Sequence, residues 1–108
     1  MTKIKVIVKR PESGPYVTNI SPTLENLQKF VGGYIETVMI AEHIVVICDE
    51  EGRLKLKHPC AVINDELFVG DIVIAGVDGD TGDLCDLPID FKTFKKWFPS
   101  LWDNLSTY

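Results

Sequence analysis

From Lys3 to Lys9 the chain reads Lys-Ile-Lys-Val-Ile-Val-Lys, a largely alternating pattern whose β-branched content predicts a strand. The turn residues of Pro11-Glu12-Ser13-Gly14-Pro15 predict a hairpin loop, with Tyr16 to Ile20 as the returning strand. Ser21-Pro22 then predicts a helix start, Ser as N-cap and Pro at the first helical position, with Thr23 as an alternative cap just inside. Leu24, Leu27, Phe30 and Val31 recur at spacings of three and four, one apolar stripe of a helix. Gly32-Gly33 follows that stripe. Phosphate-cradling glycines precede a helix, so this pair reads as a C-cap.

Tyr34 to Ile40 and Ile44 to Cys48 predict two more strands joined by a short turn at Ala41-Glu42-His43. After the acidic turn Asp49-Glu50-Glu51-Gly52, Arg53-Leu54-Lys55-Leu56-Lys57 alternates strictly. It predicts a half-exposed strand whose basic outer face protects a sheet edge. Ala61 to Ile63 and Leu67 to Val77 supply further strand, broken at Asn64-Asp65-Glu66 and at Gly70. Pro88-Ile89-Asp90 leads into a second helix with Asp90 as N-cap, and Phe91, Phe94, Trp97, Phe98 and Leu101 share one of its faces. Pro99 ends it by Phe98, leaving Leu101-Trp102 for a short terminal turn. Hairpin-length connections without βαβ alternation predict one α+β domain over residues 1–108, a mainly antiparallel sheet with two helices packed on it. Leu24, Leu27, Phe30, Phe94, Trp97 and Phe98 are expected to face that sheet.

With 108 residues, 45% hydrophobic and 25% charged, the chain has the make-up of one folded domain able to bury a core unaided. A net charge of −5 disfavours direct binding to a phosphate backbone. No apolar run approaches the ~18 residues of a membrane span, and Lys3 and Lys5 interrupt any leader-like start, so a cytoplasmic protein is expected. The charge is unevenly spread. Lys3, Lys5, Lys9 and Arg10 crowd the first ten residues. From His58 to Phe91 there is no Lys or Arg, but Asp65, Glu66, Asp71, Asp78, Asp80, Asp83, Asp86 and Asp90 are all acidic. Such a run is either a solvated face or a surface that meets a basic partner.

Candidate chemistry is sparse. Cys48, Cys60 and Cys85 are odd in number and lack Cys-x-x-Cys spacing, which argues against a disulfide framework or a zinc ribbon. Cys48 ends an apolar run and reads as a buried small hydrophobe. His58-Pro59-Cys60 offers two metal ligands, but His43 is the only further imidazole, and no metal or other cofactor is expected. Asp78-Gly79-Asp80-Thr81-Gly82-Asp83 resembles a calcium loop, yet its fifth, sixth and twelfth positions are Gly82, Asp83 and Ile89 where oxygen, Gly and Glu are required. No nucleophile elbow or Walker loop is present, so a non-enzymatic role is expected.

Thr-Leu-Glu-Asn-Leu-Gln-Lys-Phe-Val-Gly-Gly-Tyr-Ile-Glu from Thr23 to Glu36 resembles the signature of domain of unknown function family 3846. The similarity continues at Cys48-Asp49-Glu50-Glu51-Gly52-Arg53-Leu54, through Gly70 to Gly76 and at Leu84 to Leu87. It departs at Lys55-Leu56-Lys57-His58-Pro59-Cys60, where the family has a short Leu-Pro segment ending in Asn. The resemblance implies a small accessory protein of phages, plasmids or other bacterial mobile elements. In that setting the expected role is a non-catalytic module that inhibits a host defence protein such as a CRISPR nuclease, with Asp78, Asp80, Asp83 and Asp86 meeting the partner. Two other roles stay open: sequestration of a nucleotide signal, with Tyr34, Trp97 or Trp102 stacking and Arg53 or Lys57 on phosphate, and a homo-oligomeric structural role.

Overall fold

Apart from Arg53 to Lys57, the alternating and apolar segments pair as expected in a computed structural model, which describes residues 2–102. Residues 1 and 103–108 of the expected domain lie outside the described residues. The strands are β1 (Ile4–Lys9), β2 (Tyr16–Ile20), β3 (Ile35–Ala41), β4 (Ile44–Asp49), β5 (Pro59–Ile63), β6 (Glu66–Val69), β7 (Ile72–Val77) and β8 (Leu84–Cys85). Helices α1 (Leu24–Val31) and α2 (Phe91–Trp97) and a 3-10 turn (Pro99–Trp102) complete the order. The main sheet runs β2-β1-β7-β4-β3 and every pairing in it is antiparallel. β5 and β6 form a separate hairpin whose Asn64 and Asp65 take positive φ, 52° and 65°, as a two-residue turn between twisted strands requires. Asn64 Nδ2 donates to the Ile40 carbonyl at 2.8 Å and pins that hairpin to the main sheet.

Both faces of the sheet are covered. On one, Val6, Val8, Val45, Ile47, Val73 and Ala75 pack beneath Leu27 and Val31 of α1. On the other, Ile7, Ile44, Val46, Ile72 and Ile74 pack against the β5–β6 hairpin, α2 and the 3-10 turn. β4 is therefore buried along its whole length, and β7 everywhere but its last residue. The two helices sit on opposite faces of the α+β domain.

Thr23, not Ser21, caps α1: its backbone is extended and its hydroxyl accepts the Asn26 N–H at 3.2 Å. Asn26 Nδ2 reaches back to the Ser21 carbonyl at 2.9 Å, which holds Ser21-Pro22 as lead-in. Asp90 caps α2 by accepting the Thr93 N–H at 2.7 Å. Leu27, Phe30, Phe94 and Phe98 turn toward the core, but Leu24 is 59% exposed and Trp97 55% exposed. Leu24, the first residue of its helix, borders an open hollow with Ile35 and Leu84. Trp97 lags Phe94 by about 60° around the helix, which sets it on the flank of the stripe. Between β1 and the end of β7 the sheet splits, and β8 enters the gap. Gly76 pairs with Cys85, while Lys5 N donates to Asp86 Oδ1 (2.7 Å) and Leu87 N to the Lys5 carbonyl (3.1 Å).

Phe94→Ala should lower stability by about 3–5 kcal/mol, and Trp97→Ala by less than about 1 kcal/mol, read from urea midpoints. A Cβ at position 76 would lie 2.2 Å from the Asp86 carbonyl oxygen. Gly76→Ala should therefore lose about 1–3 kcal/mol through displacement of β8, and a chain as stable as the wild type would show that β8 moves freely.

Candidate functional site

Where α1 ends, the chain must satisfy its last carbonyls and turn. Gly32 does this in the left-handed conformation at φ 79°, its N–H returning to the Gln28 carbonyl at 2.8 Å. Gly33 then passes so close to Asp49 that a Cβ there would lie 2.7 Å from Asp49 Oδ1 and 2.6 Å from Lys55 Nζ. Asp49 closes β4 with its side chain only 1% exposed. Its Oδ1 accepts the Glu51 N–H at 2.9 Å, and its Oδ2 meets Lys55 Nζ at 2.9 Å and Lys57 Nζ at 2.7 Å. The same ammonium groups donate to the end of α1: Lys57 to the Val31 carbonyl at 2.6 Å and Lys55 to the Gly32 carbonyl at 3.2 Å. Two cations thus sit at the negative pole of the helix and on one carboxylate. Burial alone would push the Asp49 carboxyl up, but the bonds from Lys57, Lys55 and the Glu51 N–H together outweigh it and hold it at about 2.

This arrangement overturns the strand expected over Arg53 to Lys57. The segment is a series of turns, with Lys55 N donating to the Glu51 carbonyl, Leu56 N to Arg53 and Lys57 N to Gly52, at 3.0–3.1 Å. The alternation survives with its sides reversed. The two lysines turn in toward the buried carboxylate, so Leu54 and Leu56 are left 81% and 87% exposed. Leu56 also takes a positive φ of 57°, a conformation that is strained for a side chain with a Cβ.

Beside the loop lies a cleft of about 370 Å³ between the end of the β3–β4 hairpin and β6. Leu54 and Leu67 line it together with Glu36, Glu50 and Glu66, and Arg53 crosses from the loop to donate to the Leu67 carbonyl at 2.7 Å. The Cys48 thiol at its base is pushed up to about 11, by burial first and then by Glu36 and Glu66. Cys60, held up at about 12 by burial, donates to the Lys9 carbonyl at 3.4 Å, and Cys85 is also raised, chiefly by burial. The three thiols therefore stay protonated at neutral pH. Among the described residues no group of three or more His, Cys, Asp or Glu side chains is placed to hold a metal ion.

The acids of the 78–86 segment divide into two kinds. Asp78 folds its own loop, its Oδ1 accepting the N–H groups of Asp80 (2.8 Å) and Thr81 (3.2 Å), and Asp86 is bonded to Lys5 N. Asp80 and Asp83 point their charge outward, Asp83 beside a hollow of about 400 Å³ that Leu24, Ile35 and Leu84 also line. The residues expected around a nucleotide are spread over separate hollows. Tyr34 lies beside Lys55, Arg53 in the acidic cleft, Lys57 near His58 and Gly70, and Trp102 near Pro11 and Gly14. Lys57 is committed to Asp49 and Val31, and Trp102 lies against Phe91 with ring centroids 5.4 Å apart and planes tilted by 59°, under Lys95. Sequence reasoning missed Asp49, Glu36 and the exposed leucines. Val31-Gly32-Gly33 and Cys48-Asp49 both stand in the resemblance, but nothing in the sequence says that they meet in space.

A family model described as "Domain of unknown function (DUF3846)" matches residues 4–99. No curated protein and no solved structure matches the chain. No helix among the described residues is long and apolar enough to cross a membrane.

The Asp49 latch makes a pH prediction. A folded-state pKa of about 2, against about 3.9 unfolded, adds stability that is complete above pH 4 and is lost as the pH falls through 2. The loss should be on the order of 2 kcal/mol in urea midpoints taken at pH 6, 4 and 2, and Lys57→Met should move the carboxyl titration, followed by NMR, upward.

Proposed function

The chain belongs to the DUF3846 family, and from that premise we propose that it is a non-catalytic protein-binding module whose contact loop is residues 50–57. One observation carries the reading: Leu56 is held in a strained backbone conformation by the Asp49 latch and yet presents its side chain to solvent, beside an equally bare Leu54. Stability alone would favour Gly or Asn at such a φ and a polar side chain at such exposure. A rigid loop carrying two naked leucines has the form of an interface centre, because the entropy of ordering it is spent on folding and not on binding.

The partner class we propose is a cytoplasmic host defence protein, with a nuclease effector as the concrete case and inhibition as the outcome. The net charge of −5 and the outward Asp80 and Asp83 suit a protein with a basic groove, and the mobile-element setting implied by the resemblance supplies the context. Leu56→Gly separates binding from folding. It should leave thermal stability unchanged or raised, since the strain is relieved, while capture of an identified defence nuclease falls at least about tenfold. Unchanged capture at unchanged stability would remove the loop from the interface.

A further inference from the structure

We infer that the pocket between the β1–β2 turn and the 3-10 turn binds a small monocarboxylic acid, its carboxylate on the Lys9 ammonium and its apolar part against Trp102. The inference stands apart from the 50–57 loop and from partner binding. Lys9 ends β1 opposite Ile72 in the register, two residues after Ile7 and so on the same face of the strand. It is only 3% exposed. Its Nζ donates to the Arg10 carbonyl at 2.7 Å, and that carbonyl also accepts the Ser13 N–H at 3.2 Å, which fixes the ammonium at the turn. Among the described residues no carboxylate lies within ion-pair distance of it. Asp71, the neighbour of Ile72, is taken by Arg10 Nη1 at 2.5 Å.

Lysine is almost never buried this deeply without an anionic partner, because desolvation penalises the lone charge. Asp49, the other buried charge among the described residues, has two lysines, whereas Lys9 has one backbone carbonyl and two donors left over. A pocket of about 150 Å³ adjoins it, lined also by Pro11, Glu12, Leu101 and Trp102. A cavity of about that volume holds a ring the size of benzene. The charge of the site selects the acid group. One ammonium balances a monoanion such as a carboxylate, while a phosphate dianion would leave its excess charge beside Glu12. The Trp102 ring, set against Phe91, supplies an apolar wall, and Lys95 Nζ at 5.4 Å from its centroid adds to the positive potential there.

The test titrates the intact ¹⁵N-labelled chain with benzoate and with benzamide, which keeps the shape without the charge. Inorganic phosphate and capped Gly-Glu-Gly, a carboxylate carried on a peptide, are run beside them. Shifts should centre on the amides of Arg10, Glu12 and Ser13 and on the Trp102 indole, with benzoate at least about tenfold tighter than each of the other three. Lys9→Met, which keeps an unbranched chain and removes the charge, should abolish the preference of benzoate over benzamide. If that variant does not fold, the comparison of the two probes on the wild-type chain decides alone. Benzoate no tighter than benzamide, shifts centred elsewhere, no shifts up to about 10 mM, or an unchanged preference in folded Lys9→Met would each overturn the inference. Phosphate as tight as benzoate would overturn the choice of a carboxylate, and a tighter Gly-Glu-Gly would overturn the free acid in favour of an acidic side chain.

Discussion

A buried carboxylate must be neutralised where it lies, and at Asp49 that requirement organises the whole end of the molecule. It draws Lys55 and Lys57 inward, and their remaining donors find the last carbonyls of α1, so the loop, the helix and the end of β4 become one hydrogen-bonded unit. Gly33 follows from the same requirement, because any side chain there would occupy the space of the carboxylate and the Lys55 ammonium. The exposure of Leu54 and Leu56 is its other consequence, since in an alternating segment turning the lysines in turns the leucines out. The surface proposed to bind a partner is thus the reverse side of a charge-burial problem.

The sheet makes this affordable. β4 and β7 are covered on both faces, and the apolar contacts that anchor Asp49 do not depend on the loop. With a core of that kind beneath it, the loop can tolerate one strained residue that a smaller core could not.

Most of the fold was legible because its signals are local. The spacing of Phe91, Phe94 and Phe98, the Asp90 cap, the stop at Pro99 and the left-handed Gly32 each depend on neighbours in sequence. The continuous apolar runs at Ile44–Ile47 and Ile72–Ala75 already carried the mark of strands buried on two faces. Period alone does not say which side of a segment faces in, and this is why Arg53 to Lys57 was read with its faces exchanged. Trp97 was read as core because a stripe drawn on five aromatic and apolar positions hides the flank position among them. The candidate site was legible only in pieces. Glu36 and Glu66 are thirty residues apart and come to line one cleft only through the packing of a hairpin on a sheet, a relation that no local pattern encodes. β8 was missed for a similar reason, as two residues acquire strand geometry only from the gap they fill.

The position of β7 has a consequence for how the chain comes to be folded. β7 lies between β1 and β4, with Ile74 opposite both Ile7 and Val46, so the sheet's centre is among its later strands to be synthesised. Until Val77 has left the ribosome, the β1–β2 and β3–β4 hairpins have no common partner, and each holds an open apolar edge. Closure then depends on contacts more than sixty residues apart in sequence, which places folding in the slow range for a chain of this size. During that interval β1 and β4 are the segments a chaperone would have to shield.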